Sequence, residues 1–254
     1  MLKNASAING YAIEASDGRI GTVSDFLFDD MSWRIRWLVV DTGAWLSGRK
    51  VLLPASALGH LNQKNQEFAV RLTKEQVKDS PDIDTERPVS RQSEGSIYEY
   101  YGWAPYWGAD FYLGGYGDLA GPPYPGLHGS DDDICDSQIS PDDPHLRSIE
   151  AVTGDHIRAK DGEIGHIEDF LLQEEDWSIH YLVIDTKNWW PGKKVLISPR
   201  SVKDIDWPSE LVTLNVDRQW VKNSPRYDSS TAVDRIFERN FHNYYSSGQP
   251  TDRP

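Results

Sequence analysis

The chain has 254 residues and a formal net charge of −14, with 26 Lys and Arg against 40 Asp and Glu. Such an excess of negative charge repels phosphate backbones and anionic lipid, which argues against nucleic-acid binding and against direct membrane insertion. No apolar run is long enough for a spanning helix, the opening MLKNASAINGY lacks the apolar segment and cleavage site of a signal peptide, and Cys135 is the sole cysteine; a soluble cytoplasmic protein without disulfides, cysteine-ligated metal or other cofactor is expected.

In chain order, YAIEA (11–15) alternates apolar and polar residues and leads into Asp17-Gly18, a dipeptide suited to a tight hairpin, so two antiparallel strands are predicted around it. Gly21, inside the second strand, marks a bulge or a close approach of another backbone. TVSDFLFDD carries Val23, Phe26 and Phe28 with a change of phase near Asp25; WRIRWLVV, with Trp33, Ile35 and Trp37 alternating against Arg34 and Arg36, is its antiparallel partner across DDMS. RKVLLP and EFAVRL supply two further strands, the second presenting Phe68, Val70 and Leu72 in alternation. Short period-two strands in so few residues have to curl on themselves to bury their apolar face, which predicts a small β-barrel. TKEQVKDSP sets Thr73 and Gln76 at capping-box spacing and stops before Pro81, predicting a two-turn helix that plugs one end.

The character of the chain then changes. Residues 103–146 hold eight Asp and no Lys or Arg; seven aromatics lie among Gly and Pro between Trp103 and Tyr124, and the acidic run SDDDICDSQISPDDP follows. Disorder goes with a scarcity of aromatics, so the aromatic half is expected to pack on a barrel or a partner and the acidic half to be a mobile linker.

Beyond this segment the first pattern returns. SDGRIGTVSDFLFDD (16–30) reappears as KDGEIGHIEDFLLQE (160–174), and with the displacement held at 144 and no gaps, 21 of the 45 positions from Gly10 to Pro54 are identical. The correspondence runs on to Val77, Lys78, Ser80 and Pro81 against Val221, Lys222, Ser224 and Pro225, and to Tyr100 and Tyr101 against Tyr244 and Tyr245. The unit is domain-sized, far longer than a solenoid repeat. At its end TAVDRIFERNFHNYY places Val233, Ile236, Phe237, Phe241 and Tyr244 at helical spacing, while RPVSRQSEGSIYEYYG in the first copy carries Gly95 and reads less surely as helix. The chain is therefore read as mainly β: two tandem small antiparallel β-barrels, each followed by short helices, over residues 1–102 and 145–249, with a linker at 103–144.

Asp-Gly, then Ile-Gly, then Asp-Phe-Leu, then Leu-Val-[Val/Ile]-Asp-Thr-x-x-Trp and Gly-x-Lys-Val-Leu, spaced alike in both copies, resemble the PRC-barrel family. That family includes the cytoplasmic domain of the photosynthetic reaction-centre H subunit and the C-terminal domain of a ribosome maturation factor. The resemblance implies a small β-barrel that acts as a binding module and carries no chemistry.

Five positions stand out as an interaction surface. WLSGRKV and WWPGKKV set Trp45, and Trp189 with Trp190, before a glycine turn and a basic pair, either as an exposed aromatic and cationic loop or as a hairpin whose Trp covers the barrel mouth; Trp103 and Trp107 lead the aromatic segment. Asp41 and Asp185 close the strongest strand, where an Asp ordinarily accepts from turn amides. Asp25 and Asp169 are acids in an apolar setting, with Lys50 and Lys194 as candidate ion-pair partners. No histidine, serine or cysteine recurs beside these acids in both copies, as a duplicated active or metal site requires. The leading expectation is a non-enzymatic assembly module whose barrels bind each other or another protein, including a second copy; the alternatives are an accessory of photosynthetic electron transport and, more weakly, a hydrolase using paired Asp residues.

Overall fold

A computed structural model describes residues 2–62, 64–80, 89–101, 144–186 and 193–228, together with Arg239, Phe241 and Tyr244. The first repeat runs β1 (Leu2–Asn4), α1 (Ala5–Ile8), β2 (Ala12–Ala15), β3 (Gly18–Asp29), β4 (Arg34–Asp41), β5 (Lys50–Pro54), β6 (Leu58–Asn62), β7 (Glu67–Val70), α2 (Lys74–Lys78), β8 (Val89–Ser90) and α3 (Arg91–Tyr101). The second runs β9 (Pro144–Ser148), α4 (Ile149–Val152), β10 (His156–Ala159), β11 (Gly162–Gln173), β12 (Ile179–Asp185), β13 (Lys194–Ile197), β14 (Val202–Asp206), β15 (Leu211–Leu214), α5 (Arg218–Asn223) and β16 (Arg226–Tyr227). The fold is mainly β, with short helices.

Each repeat forms one sheet in the same order, β5-β4-β3-β2-β7-β6 in the first and β13-β12-β11-β10-β15-β14 in the second, with β16 added beyond β13. Two features differ from the barrel that the sequence predicts. One pair in each sheet, β2 with β7 and β10 with β15, is parallel. Among the described residues neither sheet closes on itself: the end strands β5 and β6 are joined by the 3-10 turn Ala55–Ala57, β13 and β14 by Pro199–Ser201, and no ladder links either pair. The far halves of the two long strands take their hydrogen bonds from the other repeat instead, β9 pairing with Leu27–Asp29 of β3 and β1 with Leu171–Gln173 of β11.

The long strands bend at bulges. Register slips between Val23 and Asp25 and again between Leu27 and Phe28; each slip changes which face a residue presents. Ile35, Leu38 and Val40 consequently point into the main core with Phe26 and Phe28, while Trp37 and Val39 face the opposite side with Leu27. The simple alternation of Trp33, Ile35 and Trp37 therefore fails, and Trp33 lies outside the strand altogether with φ of 54°. The outer face is not left to water: Ile97 and Tyr98 of α3 cover it, Tyr98 meeting Trp37 edge-on with centroids 5.0 Å apart. The stretch around Gly95 is thus helical, the apolar patch on β4 supplying a surface for the helix that propensity alone disfavours. Phe241 does the same for the second sheet, 4.6 Å from Tyr181, and the Tyr100 and Tyr244 hydroxyls donate to the carbonyls of Gln76 and Trp220. The other residues of the expected C-terminal helix, apart from helical Arg239, lie outside the described ones, as does the aromatic segment 103–124.

The first hairpin forms as predicted but turns one residue earlier than the Asp17-Gly18 dipeptide implies, on Ser16 and Asp17, with Gly18 opening β3 at φ 128° opposite Ala15. Asp17 accepts from the Lys74 amide and Asp161 from the Arg218 amide, both at 2.8 Å, so the hairpin tip is tied to the helix that follows the sheet. Thr73 and Gln76 form the capping box of α2.

Candidate functional site

The two repeats meet through matching contacts. Ile35 donates to the Trp177 carbonyl and Ile179 to the Trp33 carbonyl, both at 2.8 Å, and Trp33 and Trp177 share the left-handed conformation that turns each hairpin toward the other. Phe28 lies 5.9 Å from Phe170, and Trp177 packs on Phe26 and Phe68 of the first repeat at 6.3 and 5.7 Å. One apolar core runs through both halves.

Asp25 and Asp169 sit at this seam, 6% and 8% exposed. Asp169 accepts from Asn4 Nδ2 at 2.8 Å, from the Ser6 amide at 3.2 Å and from Ser6 Oγ at 2.5 Å. Asp25 accepts from Ser148 Oγ at 2.5 Å and the Glu150 amide at 3.0 Å. Asn4, Ser6 and Asp169 correspond, at the displacement of 144, to Ser148, Glu150 and Asp25. Each carboxylate thus satisfies amides at the start of the other repeat's first helix, where donors have no partner inside the helix. Burial pushes the Asp25 carboxyl above its ordinary range and the negative Glu150 adds to this, while the bonds from Ser148, Phe26 and Glu150 oppose it. Among the described residues the expected pairing with lysine is not formed: Lys194 Nζ meets Glu168 at 2.5 Å, and Asp25 accepts instead from Ser148 and Glu150 of the other repeat. Lysine pairing fails because bulged β3 and β11 turn these acids toward the incoming strand.

Asp41 and Trp45 are engaged within their own repeat. Asp41 accepts from the Gly43 amide at 2.8 Å, closing the turn after β4, and Asp185 occupies the matching strand end, opposite His166 as Asp41 is opposite Thr22. Trp45 lies against the main core, its indole N–H donates to the Ile20 carbonyl and the Lys74 ammonium sits 4.9 Å above its ring. Arg19, Asp41, Trp45 and Lys74 line a shallow cleft of about 420 Å³. Trp103, Trp107, Trp189 and Trp190 lie outside the described residues.

The first basic residue of GRK and GKK was missed as a structural clamp. Arg49 donates to the Lys78 and Ser80 carbonyls, and Lys193, 3% exposed, donates to Lys222 at 2.7 Å and Ser224 at 3.0 Å. The signal was present in register, since a cation recurs at both positions and Ser80 and Ser224 recur 31 residues later. Among the described residues no three His, Cys, Asp or Glu are grouped to hold a metal, and no helix is long and apolar enough to cross a membrane.

Residues 3–77, which span the first sheet and its closing helix, match the model of the PRC-barrel domain. The first repeat belongs to the PRC-barrel family. A Deinococcus radiodurans relative, described as an uncharacterized protein, is 33% identical over 85 residues, a stretch that covers 34% of this chain and 30% of the relative. The chain thus spans less than a third of that relative. Within the PRC-barrel domain the motif residues have definite work: Gly21 lets β3 pass close to the Asp41 carbonyl, Asp25 holds the other repeat and Thr42 donates to the Arg49 carbonyl at 2.6 Å.

Proposed function

We propose that the chain is a non-enzymatic assembly module made of two PRC-barrel repeats, over 1–102 and 145–249, that pair with each other about a pseudo-twofold relation and present the paired unit to a protein partner. The observation that carries this reading is the reciprocal exchange at the seam. The acids that chemistry would need, Asp25 and Asp169, are committed as acceptors for Ser148 and Glu150 and for Asn4 and Ser6. With their oxygens occupied by amide and hydroxyl donors from the other repeat, these carboxylates are not presented to a substrate. Asp41 is likewise engaged by a turn amide.

The test is affinity purification of the full chain from its native cells, comparing wild type with Asp169→Ala, alongside assays for ester, phosphate and peptide hydrolysis. A stoichiometric protein partner that is retained by wild type and lost by the variant, with no turnover, is expected. Turnover that copurifies with the wild type and falls in Asp169→Ala or Asp41→Ala overturns the proposal.

A further inference from the structure

A cleft of about 750 Å³ opens beside the seam, between the tip of the β3–β4 hairpin and the β12 side of the second sheet. Its size is that of an ordinary small-molecule pocket. Its electrostatics run against the chain as a whole, whose net charge is −14: among the described residues Arg34, His180 and Arg200 line it, against the single acid Asp176. Arg34 and Asp176 approach to 3.7 Å. Burial pushes the Asp176 carboxyl up, but bonds from Ser178 together with the charges of Arg34 and His180 outweigh it and hold the group below its ordinary range. Asp176 is therefore ionised and offsets one cation, while exposed Arg200 keeps its guanidinium without an ion pair among the described residues. Trp33 and Trp220 supply flat apolar walls.

The duplication shows that this combination of lining residues does not recur in register. The positions matching Asp176, His180, Arg200 and Trp220 are Ser32, Arg36, Ser56 and Gln76. The acid, the second arginine and the second indole thus occur together only where the cleft is described.

From this arrangement we infer that the cleft binds a small organic anion bearing a flat ring, its anionic group held by Arg200 and Arg34 and its ring set against Trp33 and Trp220. Guanidinium recognises carboxylate, sulfonate and phosphate oxygens in paired geometry, and indole offers a stacking face. The site requires both parts, because an anion alone meets an exposed, hydrated arginine and a neutral ring alone leaves the cationic side uncompensated.

Fluorescence titration of the full chain with 8-anilinonaphthalene-1-sulfonate tests the inference, with uncharged N-phenyl-1-naphthylamine as the comparison probe. Saturable binding of the sulfonate at one per chain is expected, weakened about tenfold or more in Arg200→Gln, as loss of one charge-assisted contact implies. Arg34→Gln weakens it too, whereas Lys74→Gln, which alters the separate cleft beside Trp45, leaves it unchanged. Arg200 is exposed, so its variant keeps the wild-type circular dichroism and melting temperature. The inference is overturned if binding does not saturate, if the neutral probe binds as tightly as the sulfonate, or if both arginine variants bind like wild type.

Discussion

Asp169 shows how one buried acid can be structural. It gathers Asn4, Ser6 and its own neighbour Phe170 around two oxygens. Asp169→Ala leaves the Asn4 and Ser6 donors in a half-buried seam without their acceptor, and a loss of about 2–4 kcal/mol is expected in denaturant melts, since each bond to a charged group contributes about 1.5–3 kcal/mol. Asp155 is a different case. It occupies the position that Tyr11 holds in the first repeat, where the tyrosine packs 6.1 Å from Phe68. Burial first and the negative Glu210 second push its carboxyl up to about 6, with His156 pulling the other way. The folded state holds this proton more tightly than the unfolded chain, so the stabilisation is complete below about pH 4 and is lost as pH rises to about 6. Asp155→Asn is accordingly expected to raise stability by about 2 kcal/mol at pH 7.5 and to change little at pH 4, read from melting curves at the two values.

Among the elements, the long strands β3 and β11 do most to set the geometry. Each carries a glycine where it crosses the end of the next strand: a Cβ on Gly21 falls 2.0 Å from the Asp41 carbonyl oxygen, and one on Gly165 falls 1.9 Å from that of Asp185. Gly165 also has φ of 152°, which other residues rarely adopt. The obstacle is backbone on both sides and has no rotamer to change. Gly165→Ala is expected to cost upwards of about 3 kcal/mol or to prevent soluble expression, whereas Gly154→Ala, with nothing within 4 Å of its Cβ, carries only the penalty of its φ of 109°. A comparison of soluble yield and melting temperature checks the order.

For the whole molecule, the continuous core across the seam has a thermodynamic consequence. Phe28 and Phe170 are fully buried against each other, and Trp33 and Trp177 close the same region from the two hairpins. Separating the repeats would expose both phenylalanines, so the halves are expected to unfold together in a single calorimetric transition, and Phe170→Ala, at a cost of about 3–5 kcal/mol, is expected to lower that transition without splitting it. Two resolved peaks, with only one displaced by the substitution, would show that the repeats are independent folding units.

The local rules of the chain were written in its sequence: the duplication at 144 residues, the hairpins, the bulge near Asp25, the close approach at Gly21 and the capping box of α2 all rest on contacts between near neighbours or on backbone sterics that residue type alone dictates. The tertiary structure decided what the long strands do with their free edges and outer faces. Alternation could not show that β4 is covered on both sides, because the second cover, α3, lies far along the chain. Spacing could not show that Asp25 answers to Ser148 and Asp169 to Asn4, since those partners are 123 and 165 residues away. Among the described residues both sheets therefore stay open by their own strands and are continued by strands of the other repeat: an edge hydrogen bond can be satisfied by any chain that reaches it, and only the folded arrangement determines which one does.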